Sequence, residues 1–436
     1  MYYFIGIKGS GMASLARILH DLGHEVKGSD ISKYIFLEDE LRSRNIEILD
    51  FDKNNIKDGY IVIVGNAFKD DHEEVKAALN NETCTIFRYH EFLSQLMEQY
   101  ITIAIAGTHG KTTTTGMTYH LFKAVNKTSV LIGDGTGIGV ADAKYFIAES
   151  CEYQDHFLHY YPNYGLINNI ELDHVDYFKS INQYKASFEQ FASQVKKCVV
   201  AWGDDPYLPD MKLNNKVLFF GLNSNNDVIA KNIIESKDGM SFDVYIHQEL
   251  FGSFALPFFG KHMLLNSLAV ITLGYLENVS ASLIQEQLKT FEGVKRRYSI
   301  KTYNDCIFVD DYAHHPTAIK AVIQATKIRY PKHQVVAIFK PDRFSRIQQF
   351  AKQFAESLNQ ADFVYLCHFP INAVKEEGID VDINEIAQYI PKAVIINEDQ
   401  AAAKELANFQ KAVYLFMSSK DIYLFEEKLI LEKKNM

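Results

Sequence analysis

The sequence predicts an α/β protein divided into three domains built on parallel sheets. Three observations predict it. Short apolar runs alternate with helical stretches over most of the chain. At 436 residues the chain exceeds what one ordinary core organises. Glycine-rich turns also stand directly between an apolar run and a helical stretch, in "FIGIKGSGM" near the start and in "TIAIAGTHGKTTTTG" over residues 102–116. Such alternation implies parallel strands joined by crossover helices.

In order along the chain, "YYFIGI", "EVKGSD" and "YIVIVGNA" read as strands separated by helices such as "MASLARILHDLG". The helical stretch "HEFLSQLMEQY" leads into a new strand, "ITIAIAG", which puts a domain boundary near residue 98. The strands "YFIAES", "YGLINNI" and "CVVAWGD" follow. From Asp227 to Gly260 the apolar period shortens to two, with a turn expected at Asp238-Gly239, so antiparallel β structure should attach to this core. After the helix "HMLLNSLAVITLGYLE" and the junction "GVKRRY", the alternation restarts with "CIFVDDY", "QVVAIFKP", "DFVYLCHF", "AVIINED" and "AVYLFMSS". The expected domains are 1–98, 99–297 and 298–436. Heptads and repeat arrays are absent, which excludes solenoids and coiled coils.

A net charge of -10 argues against a nucleic-acid or anionic-membrane surface. Five scattered cysteines show no paired metal-ligand spacing and suit reduced thiols. The N-terminus passes straight into a strand, and no apolar run is long enough to span a bilayer. The expectation is a cytoplasmic protein, a monomer or homodimer, with no membrane or nucleic-acid partner.

The strongest chemical signal is Gly107-Thr108-His109-Gly110-Lys111-Thr112-Thr113. Glycines let successive backbone N–H groups face phosphate oxygens, and the following helix adds its positive N-terminal end. Lys111 can reach terminal phosphates and the Thr112 hydroxyl can ligate Mg²⁺. The loop is short, because Ile105 stands where a longer phosphate loop has its first glycine. In the N-terminal turn, Gly9, Ser10 and Gly11 suit a diphosphate, with Asp30 near a ribose hydroxyl. Acidic and imidazole groups close later strands. Glu149 and His174 are candidate metal ligands there, whereas Asp173 and Asp176 read as solvated caps. In "FVDDYAHHPT", adjacent strand residues face opposite ways, so only one of Asp310 and Asp311 can meet a given ligand. Lys295, Arg296 and Arg297 form a basic junction able to neutralise a transferring phosphoryl group. Arg343 and Arg346 share one side of a helix start and suit a carboxylate.

Taken together, "GIKGSGM", "GTHGKT", "LIGDGTG", "NNIELDHVDYF", "GVKRRY", "DDYAHHPT" and "FMSSKDI" resemble the Mur ligases over essentially the whole chain. The resemblance implies an N-terminal Rossmann-like domain for a UDP-sugar, a central P-loop ATPase-like domain with a β-rich addition, and a C-terminal Rossmann-like domain closing over both. It implies ATP and Mg²⁺ as cofactors, UDP-N-acetylmuramate and L-alanine as substrates, and amide formation through an acyl phosphate. Ligation of a preformed peptide, glycine or serine, or a non-catalytic nucleotide- and UDP-sugar-binding role, are the competing expectations. By resemblance, Lys111 and its loop hold the ATP phosphates, Thr112 and Glu149 bind one Mg²⁺, and His174 a second. Asn266, Arg297 and Asp311 contact the nucleotide, and His315 lies close to the substrates.

Three positions depart from the family pattern: Met263 for an asparagine, Lys340-Pro341-Asp342 for Gln-Pro-His, and Ser418-Ser419-Lys420 for small residues with glycine. They bear on base contacts and amino-acid choice more than on phosphoryl transfer.

Overall fold

In the computed structural model, which describes residues 1–212, 215–236, 239–370 and 378–435, the strands form three sheets. The first orders five parallel strands as Glu47–Leu49, Val26–Ser29, Tyr2–Ile5, Ile61–Val64 and Thr85–Arg88. The chain builds outward from Tyr2–Ile5 to one side and then returns to the other. A crevice therefore opens at the carboxyl end of that strand, where "GIKGSG" turns into the helix Ser10–Asp21. That helix forms because Met12, Leu15, Ile18 and Leu19 recur at helical spacing and are buried. It stops at Gly23, whose φ of +89° suits the left-handed close of a helix.

The second sheet has ten strands. Its centre is Ile101–Ala106, paired in parallel with Tyr145–Glu149 and Tyr164–Ile167. At one end Val228–Ser236, Gly239–Ile246 and Glu249–Leu256 run antiparallel, as the period of two predicts. They are continuous with the α/β core, joined through Phe220 and Val228. Asp238 of the expected turn lies outside the described residues.

The third sheet has six strands, ordered Ser299–Tyr303, Cys306–Asp311, Ala412–Met417, Gln334–Phe339, Phe363–Cys367 and Ala393–Ile396. The three-domain α/β reading holds. The edge strand Ser299–Tyr303, antiparallel to its neighbour, carries no apolar run because it is largely solvated, so alternation does not reveal it. Among the described residues no helix is long and apolar enough to cross a membrane.

The first two sheets meet closely. The helix Ser10–Asp21 lies on the short strand Gly137–Ile138, and Arg17 Nη1 donates to the Gly135 carbonyl at 2.8 Å. A Cβ on Gly137 would sit 2.0 Å from the Ser14 carbonyl oxygen, with backbone on both sides and nothing free to yield. Gly137→Ala should cost about 1–3 kcal/mol through forced separation of the two units. Limited proteolysis and urea unfolding should register that loss with helix content retained.

Candidate functional site

The strand Ile101–Ala106 delivers the chain to Gly107, at φ +129°, and Gly110, at φ +80°, before the helix Lys111–Val125 begins. Both positions require glycine. A Cβ on Gly107 would lie 3.0 Å from the Asn168 backbone nitrogen, and one on Gly110 would lie 2.8 Å from Asn266 Oδ1. Asn168 and Asn169, at the end of the neighbouring strand, brace the loop. Asn169 Oδ1 accepts from His109 N at 2.8 Å, and both side-chain amides donate to the His109 carbonyl.

Lys111 folds back over this loop. Its ammonium donates to the Gly107 carbonyl and meets Glu152 Oε2 at 2.8 Å. Burial works against both charges, yet their pairing prevails: Lys111 is held above the usual lysine range and Glu152 is brought down to about 2, with His174 contributing. His174 Nε2 lies 3.5 Å from Glu152, so the structure puts His174 on the lysine side. The other predicted metal ligands converge separately. Thr112 Oγ1 donates to Glu149 Oε1 at 3.1 Å and accepts from Arg297 Nη2 at 3.0 Å. Glu149 Oε2 takes the Gly133 N–H at 2.7 Å, and the carboxylate sits where a Cβ on that residue would lie, which explains the first glycine in "LIGDGTG". Burial raises the Glu149 pKa against the opposing pull of Lys111 and Arg297. A half-buried carboxylate beside a hydroxyl, both hard oxygen donors, is a donor set that fits Mg²⁺.

The basic junction reaches in three directions. Lys295 Nζ meets Glu40 of the first unit at 3.0 Å, Arg296 pairs with Asp310 at 3.1 Å and donates to the Ser418 and Lys420 carbonyls, and Arg297 reaches the phosphate loop. Arg296 and Tyr298 have φ of +55°, an uncommon backbone for such residues that aims successive side chains apart. Asp311 accepts the N–H groups of Tyr298 and Ala313, both at 2.8 Å, and burial pushes its pKa up to about 6. Asp310 and Asp311 do face different partners.

A cavity of about 820 Å³ lies between the second and third sheets. His109, Gly110, Thr113, Asn266, Arg297 and Asp311 line it, together with Met263 and the rings of Trp202, Phe258 and Tyr298. Gly107, Thr108, Lys111 and Thr112 belong to the same loop. His315, N-capping the helix Pro316–Arg329, packs its ring 4.9 Å from that of His109, and burial lowers its pKa to about 3.

Gly9, Ser10, Gly11 and Asp30 sit apart, at the crevice of the first sheet. Asp30 accepts backbone N–H groups of Lys8 at 2.7 Å and Ile31 at 2.8 Å, so it also shapes the turn. A Cβ on Gly11 would meet the Tyr89 hydroxyl at 2.6 Å. Asp30 lines a second cavity of about 390 Å³ with Lys8, a buried lysine inside the glycine turn that no phosphate-turn spacing singles out.

Two expectations need correction. Asp173 and Asp176 are not solvated caps but cross-unit ion pairs: Asp173 meets Arg346 at 2.9 Å and Asp176 meets Arg343 at 2.6 Å. Helix-start spacing shows the local capping option, whereas the partners lie about 170 positions away. Arg346 also donates to Asp342 at 2.7 and 2.8 Å, so all three of its nitrogens already face carboxylates. Ser419 donates to Asp342 at 2.9 Å, Ser418 donates to the Lys340 carbonyl at 2.9 Å, and Lys340 pairs with Glu398 and Asp421. Two of the three departures from the family pattern are thus one hydrogen-bonded assembly.

Glu152 and Glu171, both held down to about 2 by their partners despite burial, titrate in acid. Carboxylates depressed on folding stabilise the protein fully above about pH 4.5 and lose that contribution as pH falls toward about 2. Asp311 acts oppositely, costing stability as pH rises from 3.8 to about 6. The urea midpoint should therefore fall below about pH 4.5, and less steeply in Glu171→Gln.

Family models agree with this architecture. Residues 1–101 match a "Mur ligase family, catalytic domain", residues 105–274 a "Mur ligase middle domain", and residues 296–420 a "Mur ligase, glutamate ligase domain". Among solved structures, UDP-N-acetylmuramate-alanine ligase from Thermotoga maritima is similar at TM-score 0.83 and 23% identity, covering 100% of this chain and 99% of that one. A murein peptide ligase from Psychrobacter arcticus gives TM-score 0.74 and 23% identity, with the same coverage. MurF ligase from Thermotoga maritima, solved in complex with ADP, gives 0.65 at 18% identity, covering 94% of this chain and 95% of that one. The chain belongs to the Mur ligase family, ATP-dependent amide-forming ligases that add an amino acid or peptide to a UDP-sugar.

Proposed function

We propose that the chain joins L-alanine to the lactyl carboxylate of UDP-N-acetylmuramate through an acyl phosphate, releasing ADP and phosphate. The observation that carries this reading is the convergence of Thr112, Glu149 and Arg297, with the Lys111 charge acting on Glu149, behind the loop that lines a cavity of about 820 Å³. In this reading residues 1–98 hold the UDP-sugar, 99–297 hold ATP, and 298–436 close over both.

The adenine enters among Trp202, Phe258 and Tyr298, and the loop from Gly107 to Thr113 cradles the phosphates. Bound ADP in the MurF relative supports nucleotide binding by this fold. Lys111, kept protonated by Glu152, transfers its contact to the terminal phosphates. Thr112 and Glu149 would hold Mg²⁺, which would supply neutralisation of the repulsion between phosphate and carboxylate. Arg297, already on Thr112, meets charge developing on the transferring group, where such groups act chiefly by position and electrostatics. The uncharged amine of the acceptor then attacks the acyl carbon and phosphate leaves. Arg296 and Lys295, by tying the third unit and the first to the junction, help exclude water from the anhydride.

A second reading rests on Arg346, whose guanidinium is filled by Asp173 and Asp342. A filled fork suits an acceptor whose carboxylate lies elsewhere, such as a peptide. The test is product mass from UDP-N-acetylmuramate, ATP and Mg²⁺ with L-alanine, glycine, serine or a tripeptide. Preference for L-alanine sustains the first reading, and preference for the tripeptide the second. Nucleotide binding without ADP release under every acceptor would overturn both.

A further inference from the structure

We propose that His109, Glu171 and His315 form a binding site for a zinc-type transition-metal ion that staples the third domain to the phosphate loop. This site is distinct from the Thr112–Glu149 pair, and its argument does not depend on which acceptor the enzyme uses.

One donor atom from each of the three side chains falls within 4.8 Å of the others. His109 Nε2 lies 2.8 Å from Glu171 Oε2, and His315 Nδ1 lies 3.9 Å from the same oxygen. The three come from separate elements. His109 belongs to the loop before the helix Lys111–Val125, Glu171 follows the strand Tyr164–Ile167, and His315 caps the helix Pro316–Arg329. Each backbone segment is held independently of the metal. His109 is gripped by Asn168 and Asn169, the Glu171 N–H and carbonyl both bond Thr108 Oγ1, and Pro316 stiffens the helix start beside His315.

The independent sign of a missing ligand is His315 itself. It is only 2% exposed, yet neither ring nitrogen has a hydrogen-bond partner among the described residues. A buried imidazole with both nitrogens unsatisfied is costly unless something else occupies one of them. Glu171 is meanwhile steered by Thr317, whose hydroxyl donates to Oε1 at 2.6 Å and leaves Oε2 facing the two rings. That is the outer-shell bond which commonly orients a ligating carboxylate.

Two imidazoles and one carboxylate are a borderline donor set, typical of zinc with one position left open, and unlike the all-oxygen set that magnesium prefers. Bonds of about 2.0–2.2 Å require donor atoms roughly 3.3 Å apart in a tetrahedron, so the 2.8 Å contact must open and the longer ones close. Side-chain rotation of His109 and Glu171 opens the first, and rotation of His315 closes the other. The His109–Glu171 proton leaves on binding, and the open position faces the nucleotide cavity that His109, Glu171 and Thr317 line. Because His315 and Thr317 lie on the third domain, the bound ion would favour its closed position.

The experiment uses the full chain, stripped by a chelator and titrated with Co²⁺ alone, without nucleotide. A tetrahedral visible absorption band saturating at one equivalent and displaced by Zn²⁺ is the expected result. The band should vanish in His315→Ala and in Glu171→Gln, each verified as folded by circular dichroism, and persist in Glu149→Gln. Zn²⁺ should also slow proteolytic release of the third domain in the parent but not in Glu171→Gln. Absence of the band leaves a water as the occupant and overturns the site. So does a band that survives both ligand variants, or one lost in Glu149→Gln alone, which would place the ion on the magnesium pair.

Discussion

Lys111→Ala should abolish ADP formation, lowering turnover by on the order of 10³-fold, while UDP-sugar binding survives. The activity loss follows from removing the charge that would offset phosphate–carboxylate repulsion, and the survival from the separation of the two cavities. The structure adds a second consequence. Glu152 is 1% exposed and ion-paired with Lys111, so truncating the lysine strands a buried carboxylate. Breaking one partner of such a pair costs about 3–5 kcal/mol. Lys111→Met combined with Glu152→Gln should restore most of that stability without restoring ADP release. Paired turnover and urea-unfolding measurements separate the two effects. Undiminished ADP formation in Lys111→Ala would remove the lysine from the proposed chemistry. Equal stability of Lys111→Ala and the parent would show that Glu152 finds other compensation.

The other large effect should come from Arg346→Ala. This guanidinium is 2% exposed and is shared by Asp173, across the domain contact, and Asp342, on its own helix approach. Both carboxylates are depressed by it against the cost of burial. Its removal leaves both Asp173 and Asp342 without their cation, so the loss should exceed the about 3–5 kcal/mol of a single broken pair. Asp342→Asn should cost far less, because Arg346 keeps Asp173 and the amide still accepts from Ser419. Protease sensitivity of the 298–436 segment should follow the order parent, Asp342→Asn, Arg346→Ala. A reversed order would mean that Asp342, not Asp173, dominates the contact.

Much of the fold was legible locally. Apolar runs marked the central strands, closed by glycine in several of the first two sheets, since a buried parallel strand must be apolar on both faces. Solvated edge strands such as Ser299–Tyr303 carry no such mark. The phosphate loop was equally legible, because Gly107 and Gly110 have positive φ that other residues adopt only with strain. Glu152 was harder to see. It stands three residues beyond Glu149, and only the fold turns it toward Lys111 rather than toward Thr112. His109, Glu171 and His315 likewise reveal no common spacing, being far apart along the chain.

By itself, then, the sequence determined the domain class, the strand–loop–helix that suits a triphosphate, and the family. These depend on neighbours in the chain: backbone angles, alternation, and residue types at short spacing. Only tertiary structure decided that Asp173 and Asp176 leave solvent for arginines of another domain, that Asp342 fills Arg346, and that Arg296 and Arg297 point apart. Those outcomes turn on which distant charges share one desolvated space, where an unpaired ion is too costly to persist.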